Sequence, residues 1–196
     1  MQLTASKGML IMDEIIKLHL GCGKRYLPGY VHVDIDNFNH IDYQSTVDDL
    51  SMFKTNSVSE IYAAHLLEYY DIYESLEVLK EWKRVLITGG ELKVAVPDFQ
   101  NLVKVYSSTK NISDVIGPIV GRWEVSKSQK IYHKQIFDFK SLKSLLEKAG
   151  FQNISSWDWK EFILDFPDYD DHSQAYFPHM DKDNGIHVSL NLVCYK

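Results

Sequence analysis

The sequence is short of cysteine, of basic charge and of long apolar runs. Cys22 and Cys194 are its two cysteines in 196 residues, so no disulfide framework can be built and a reducing compartment is the natural setting. Lysine and arginine number 21 against 27 acidic residues, for a net charge of -6. A surface of that sign repels a phosphate backbone as a whole, which argues against nucleic acid as a partner and leaves room only for a local basic groove. No apolar stretch approaches the roughly 20 residues that span a bilayer, so no membrane partner is expected. The early run Gly8-Met9-Leu10-Ile11-Met12 meets Asp13 and Glu14 at once, which cuts off a secretory core segment before it reaches useful length. These absences predict a cytoplasmic protein.

Against them stand 45% apolar and 13% aromatic residues, enough for one domain over 1–196 with a sizeable core. Lys17-Leu18-His19-Leu20 reads as a short buried strand ending in the glycine turn Gly21-Cys22-Gly23, and Val31 to Ile35 and Ser59 to Ala64 read as two further strands. Ile72, Leu76, Leu79, Trp82 and Leu86 recur at helical spacing behind the capping pair Asp71 and Glu74, with Gly89-Gly90 as the expected stop. Glu91 to Pro97 follows as a strand, and Asp98 is placed to cap a helix presenting Leu102, Val103 and Tyr106. A last helix runs from its cap Asp138 through Phe139, Leu142, Leu145 and Leu146 to Gly150. Two strands close the chain, near Ile154 to Trp159 and His187 to Tyr195. The alternation predicts an α/β fold: a Rossmann-like, mostly parallel sheet with helices on both faces and a C-terminal antiparallel strand pair. Two stretches depart from it. Residues 107–137 show no clean period and predict loops and short helices, and residues 160–186 make a connection far longer than the usual 2 to 6 residues.

A glycine turn after a first parallel strand lets a ligand approach the backbone N-H groups, and Gly21 and Gly23 fit that use; an ordinary tight turn has the same pattern. The dinucleotide fingerprint needs a third glycine where this chain has Tyr26, which disfavours a nicotinamide cofactor. Asp34, just past the second strand, is placed to accept hydrogen bonds from two ribose hydroxyls, or to cap its own loop. Residues 24–30 are too few for a helical crossover, so the first helix is expected to be degenerate.

The runs Leu18-His19-Leu20-Gly21-Cys22-Gly23 and Pro28-Gly29-Tyr30-Val31-His32-Val33-Asp34 resemble the class I S-adenosylmethionine-dependent methyltransferases, in the subgroup with a shortened first helix. So do Asp48-Asp49-Leu50, Asn56-Ser57-Val58, Glu60 to Glu68, Glu81 to Leu86 and Gly89 to Leu92, in that order. The resemblance covers roughly residues 17–100. It implies S-adenosylmethionine as cofactor, with Gly21, Cys22 and Gly23 against its methionine part and Asp34 on the ribose. It further implies Ile35 on the adenine face, Asp49 and the Leu50 N-H at the adenine edge, and His65 at the methyl-donor end. Where the family often has Glu-His, this chain has Glu68-Tyr69, so no role for a second histidine there carries over. In the family's fold the stretches 107–137 and 160–186 are substrate-side insertions.

Methyl transfer needs alignment and exclusion of water rather than a nucleophile motif, and a hydroxyl acceptor additionally needs a base. His65 and His133 are the candidate catalytic residues, with His172 and His179 behind them; His133 has an equal claim to a purely structural hydrogen bond. Cys22 has no basic neighbour in sequence to activate it. Asp168 to His172 and His179 to Asp183 hold metal-ligand atoms but fail the EF-hand pattern, and a solvated loop with Asx turns is the preferred reading, so no metal is expected. Tyr169, Tyr176, Phe177, Trp157, Trp159 and Trp123 form either an aromatic wall for an acceptor or the core beneath a lid. Lys24 and Arg25 read as surface charges, and Arg122 with Lys127, Lys130 and Lys134 makes a modest basic cluster suited to an anionic acceptor. The leading expectation is methyl transfer to a small-molecule hydroxyl or amine, possibly sugar-like. The competing ones are a noncatalytic cofactor- or partner-binding module of the same fold and, with less support, a nucleic-acid methyltransferase. Nothing in the sequence fixes the oligomeric state.

Overall fold

The computed structural model describes residues 15–124 and 130–196; the run Gly8 to Met12 and Lys127 lie outside them. The chain opens with β1 (Ile16–Leu20), β2 (Val31–Asp34), β3 (Tyr43–Gln44) and β4 (Val58–Ala64). Helix α1 (Ile72–Val85) leads into β5 (Leu86–Pro97), followed by α2 (Phe99–Thr109), α3 (Ile116–Val120) and the short strands β6 (Trp123–Glu124) and β7 (Lys130–Ile131). Helix α4 (Phe139–Lys148), β8 (Gln152–Ser156), α5 (Trp159–Asp165), β9 (Tyr176–Phe177), β10 (Ile186–His187) and β11 (Ser189–Tyr195) complete it. Among the described residues a seven-stranded sheet runs in the order β3-β2-β1-β4-β5-β11-β8. The strands from β1 to β5 pair in parallel, and β11 pairs antiparallel with both β5 and β8. Among the described residues no helix is long and apolar enough to cross a membrane.

Strand alternation sorts the side chains onto two faces. Leu18, Leu20, Val33, Ile61 and Ala63 join Leu79, Trp82 and Val85 of α1 and Leu142, Leu145 and Leu146 of α4 in the main core. Asp71 caps α1 through a reciprocal pair with Glu74, and the Trp82 indole N-H donates to the Val47 carbonyl over 2.8 Å. The opposite face presents His19, His32 and Tyr62, which a first helix would ordinarily cover. No helix forms between β1 and β2; α5 lies over this face instead, with Phe162 stacked on Tyr62 at 4.8 Å between ring centroids. Leu27 and Tyr30 of the short crossover and Tyr169 fill the rest of that layer.

Several boundaries differ from expectation. Helix α1 stops at Val85 rather than at Gly89-Gly90, because β5 starts directly at Leu86 and takes the glycines into an irregular stretch. There the β4–β5 pairing jumps from Val58↔Leu86 to Glu60↔Glu91, and Gly89 has φ +76°. On α2 the buried residues are Leu102 and Val105, while Val103 and Tyr106 are exposed. The strand expected to reach Trp159 ends at Ser156, and Asp158 caps α5 by accepting from the Lys160 N-H. Besides its short helices, the 107–137 stretch holds the β6–β7 pair.

Candidate active site

Beyond the carboxyl ends of β1, β2 and β4 lies a cavity of about 950 Å³, within the size range of small-molecule sites and at the end of the sheet where such folds bind ligands. The glycine turn forms one wall. Gly21 has φ +62°, donates its N-H to the Val33 carbonyl at 2.9 Å, and leaves no room for a side chain: a Cβ would lie 2.7 Å from Leu66 Cδ1. Gly23, at φ +55°, donates its N-H to Asp34 Oδ2 at 2.8 Å, and the Asp36 N-H donates to Asp34 Oδ1 at 2.8 Å. Asp34 is thereby fixed at the cavity wall with one further acceptor position on each oxygen. Ile35 and Val47 line the same end. Cys22 is buried, and burial followed by the Asp34 charge pushes its thiol up to about 12, so it is no nucleophile.

Asp49 and Leu50 are not brought to this cavity. Leu50 is fully buried and its N-H donates to Glu81 Oε1 at 3.1 Å, while the exposed Asp49 accepts from the Ser51 N-H. The pairing of Glu81 with Arg84, whose guanidinium also donates to the Leu50 carbonyl, holds this corner against α1.

His65 follows β4 with φ +51°, an uncommon conformation for a residue with a side chain, and its N-H is tied to the Ala95 carbonyl at 2.8 Å. Its Nε2 lies 3.0 Å from Ser189 Oγ and its Nδ1 3.6 Å from Glu68 Oε1. His133 reaches the same carboxyl from the other side, with Nε2 at 3.8 Å from Glu68 Oε1 and Nδ1 at 3.0 Å from the Pro118 carbonyl. Burial, followed by the charges of His172 and His133, holds His65 well below the ordinary histidine range. Glu68 is the residue that sequence reasoning passed over. Its carboxyl is fully buried, neither oxygen has a hydrogen-bond partner among the described residues, and burial pushes it up to about 8. An acid three residues after His65 in the apolar run Leu66-Leu67 was the available signal. Tyr69, where the family often has histidine, lies edge-on to His133 at 4.7 Å.

Both irregular stretches reach the cavity. Gly117, Pro118, Arg122, Trp123, Lys130 and Tyr132 line it from one side, and His172, Tyr176, His179 and Met180 from another. The 160–186 stretch is therefore divided. Its first part, through Tyr169, sets Phe162, Phe166 and Tyr169 beside Trp157 in the layer on the far face of the sheet, while Trp159 is buried against Tyr176 and Lys182; its second part is cavity wall. Asp171 joins the halves: it accepts from Tyr62 Oη at 2.6 Å, Tyr169 Oη at 3.0 Å and the Ser173 N-H at 2.8 Å. That is an Asx turn rather than a ligand set, and among the described residues no group of three metal-ligating side chains is present. Arg25 is not a plain surface charge: its Nε donates to the Asp170 carbonyl at 2.8 Å and it lines the cavity. Arg122 pairs with Glu124 and Lys134 with Glu74 at the rim.

No family model matches the chain, and no curated protein matches it. Solved structures do. A methyltransferase from Methanosarcina mazei superposes with TM-score 0.57 at 16% identity over 95% of this chain and 94% of its own. One from Archaeoglobus fulgidus gives 0.55 at 14% identity over 94% and 87%. The Burkholderia thailandensis 1,6-didemethyltoxoflavin-N1-methyltransferase, solved with S-adenosylhomocysteine, gives 0.55 at 13% identity over 92% of this chain and 70% of its own. The fold is that of the S-adenosylmethionine-dependent methyltransferases. The strand order and the short crossover after β1 agree with the resemblance seen in the motifs.

Proposed function

We propose that the protein is an S-adenosylmethionine-dependent methyltransferase acting on a small-molecule hydroxyl or amine. The observation that carries this reading is the coupling of the Gly23 N-H to the Asp34 carboxylate at the wall of the cavity. It presents an open backbone turn and an oriented acid side by side, as a nucleoside with an amino-acid tail requires. Asp34 would accept from the ribose, Gly21, Cys22 and Gly23 would face the methionine part, and Ile35 with Val47 would cover the adenine. When bound, S-adenosylmethionine supplies an electrophilic methyl group on a sulfonium.

The chain's own residues supply the rest. Walls from 117–123, 130–134 and 172–180 would exclude water and hold the acceptor near His65, and positioning of this kind is the main source of rate in an in-line displacement. His65, kept neutral by its burial, is available as a base, while His133 acts from behind Glu68. Arg25, Arg122 and Lys130 at the rim favour an acceptor that carries a carboxylate or phosphate. Calorimetric titration with S-adenosylhomocysteine, with NADH as the control, tests the reading. Binding of the first and not the second is expected, and no binding of S-adenosylhomocysteine would remove it.

A further inference from the structure

The hydrogen bonds around Glu68 fix where the protons lie. The Ser173 carbonyl accepts from Asn191 Nδ2 at 3.0 Å, which turns Asn191 Oδ1 toward Ser189; the Ser189 hydroxyl donates to it at 2.8 Å. Having spent its one proton, Ser189 Oγ accepts from His65, so the His65 proton is on Nε2 and its Nδ1 lone pair faces Glu68. On the other side a carbonyl can only accept, so the contact with Pro118 places the His133 proton on Nδ1 and turns the Nε2 lone pair toward the same Glu68 oxygen. Two lone pairs thus converge on one buried carboxyl. Beside two neutral imidazoles an ionised Glu68 would leave three acceptors facing one another with no proton among them, an arrangement a buried site does not tolerate, and moving the proton to a ring would instead bury an imidazolium. A protonated Glu68 supplies the missing donor.

We infer that Glu68 is a positioning residue for methyl transfer: it rests as a neutral acid between His65 and His133 and becomes their counter-charge when His65 takes the acceptor's proton. The inference rests on the methyltransferase reading and adds a residue to it. His65 and His133 both line the cavity, whereas the Glu68 carboxyl oxygens are fully buried, so an acceptor meets the imidazoles and Glu68 acts through them. Groups around the pair work against a lone imidazolium: His172, with its ring 5.2 Å from that of His65, together with His133, Arg25 and His187, all disfavour a charge there. Tyr69 lies beside Glu68 and stays neutral, its hydroxyl pushed up to about 12 chiefly by burial. An ionising Glu68 is the available offset.

The step balances. The donor's methyl–sulfur bond breaks, its electron pair staying on sulfur, and the acceptor–methyl bond forms. The Glu68 proton moves to His133 Nε2, which frees the His65 Nδ1 lone pair to take the acceptor's proton. The positive charge of the sulfonium is carried afterwards by the triad as one extra proton, which is released to solvent.

Infrared spectroscopy of the ligand-free protein tests the resting state without any turnover. A carboxylic-acid carbonyl band should be present at pH 7, fade as pH rises through about 8, and be missing in Glu68→Gln. Its absence from the parent at pH 7 would overturn the inference even if that variant failed to fold. In the pH–rate profile, Glu68→Gln should retain S-adenosylhomocysteine affinity and lose about 10²-fold or more in kcat, the scale of a lost proton-transfer contribution. An unchanged kcat and pH profile would overturn the relay. Failure of S-adenosylhomocysteine to bind, with the acid band present, would instead remove the methyltransferase reading and with it the catalytic role of Glu68.

Discussion

Gly23 and Asp34, at the ends of two neighbouring parallel strands, are joined by a 2.8 Å hydrogen bond from the glycine N-H to the aspartate Oδ2. The turn and the acid therefore act as one unit. Asp34→Ala should lower S-adenosylhomocysteine affinity by ~1–3 kcal/mol, the range for hydrogen bonds to a charged group. It should also reduce thermal stability slightly, since the Gly23 and Asp36 N-H groups lose their acceptor. Asp34→Asn, which keeps one carbonyl oxygen, should fall between. Equal affinity in parent and both variants, measured by calorimetry, would make Asp34 a loop cap alone.

Gly21→Ala is expected to be worse than its size suggests. The left-handed backbone adds roughly 1–2 kcal/mol for a side-chain-bearing residue, and the new Cβ would press on Leu66, the residue after His65. Ligand affinity and thermal midpoint should fall together, whereas Gly23→Ala, with nothing within 4 Å of its Cβ, should spare packing and disturb mainly the backbone.

The two halves of the 160–186 stretch should respond differently to ligand. Hydrogen exchange in 172–180 should slow with cofactor and acceptor bound, while that in 159–169 should not change, since it already packs on the sheet. Tyr169→Phe removes the hydroxyl between Asp171 and His19 Nε2 and should cost about 1–3 kcal/mol of stability with S-adenosylhomocysteine affinity retained. Uniform slowing across both halves would contradict the division.

Glu68 and His65 should tilt the pH dependence of stability in opposite directions. Glu68 is raised from 4.5 to about 8 in the fold, so its contribution is full below about 4.5 and is lost as pH rises through 8. His65 is depressed below 6.5, so its contribution is full above that value and is lost as pH falls below it. Thermal midpoints across pH should show a shallower loss between about pH 4.5 and 8 in Glu68→Gln and a shallower acid loss below 6.5 in His65→Asn. Parallel curves for parent and variants would show that neither group titrates as described.

Much of this was legible in the residues. Most strands and the Asp71 and Asp98 caps are local signals and stand where expected; the glycine turn and Asp34 are local signals too, and they meet at one cavity. What was hidden is tertiary. Nothing local shows that α5 covers the face left bare by the missing first helix, because Phe162 and Tyr62 are a hundred residues apart in the chain. Leu50 could not be seen to spend its N-H on Glu81. Glu68 closes a family-like motif in the sequence, but its nearness to His133 exists only once residues far along the chain are folded over it. Arg25 likewise becomes part of the wall only once Asp170 arrives.

The most direct measurement is a crystal structure of the protein with S-adenosylhomocysteine. The account predicts the ribose hydroxyls within hydrogen-bond distance of Asp34, the methionine tail against Gly21 to Gly23, and the sulfur on the His65 side of the cavity. A nucleoside bound elsewhere, or with its ribose away from Asp34, would contradict it.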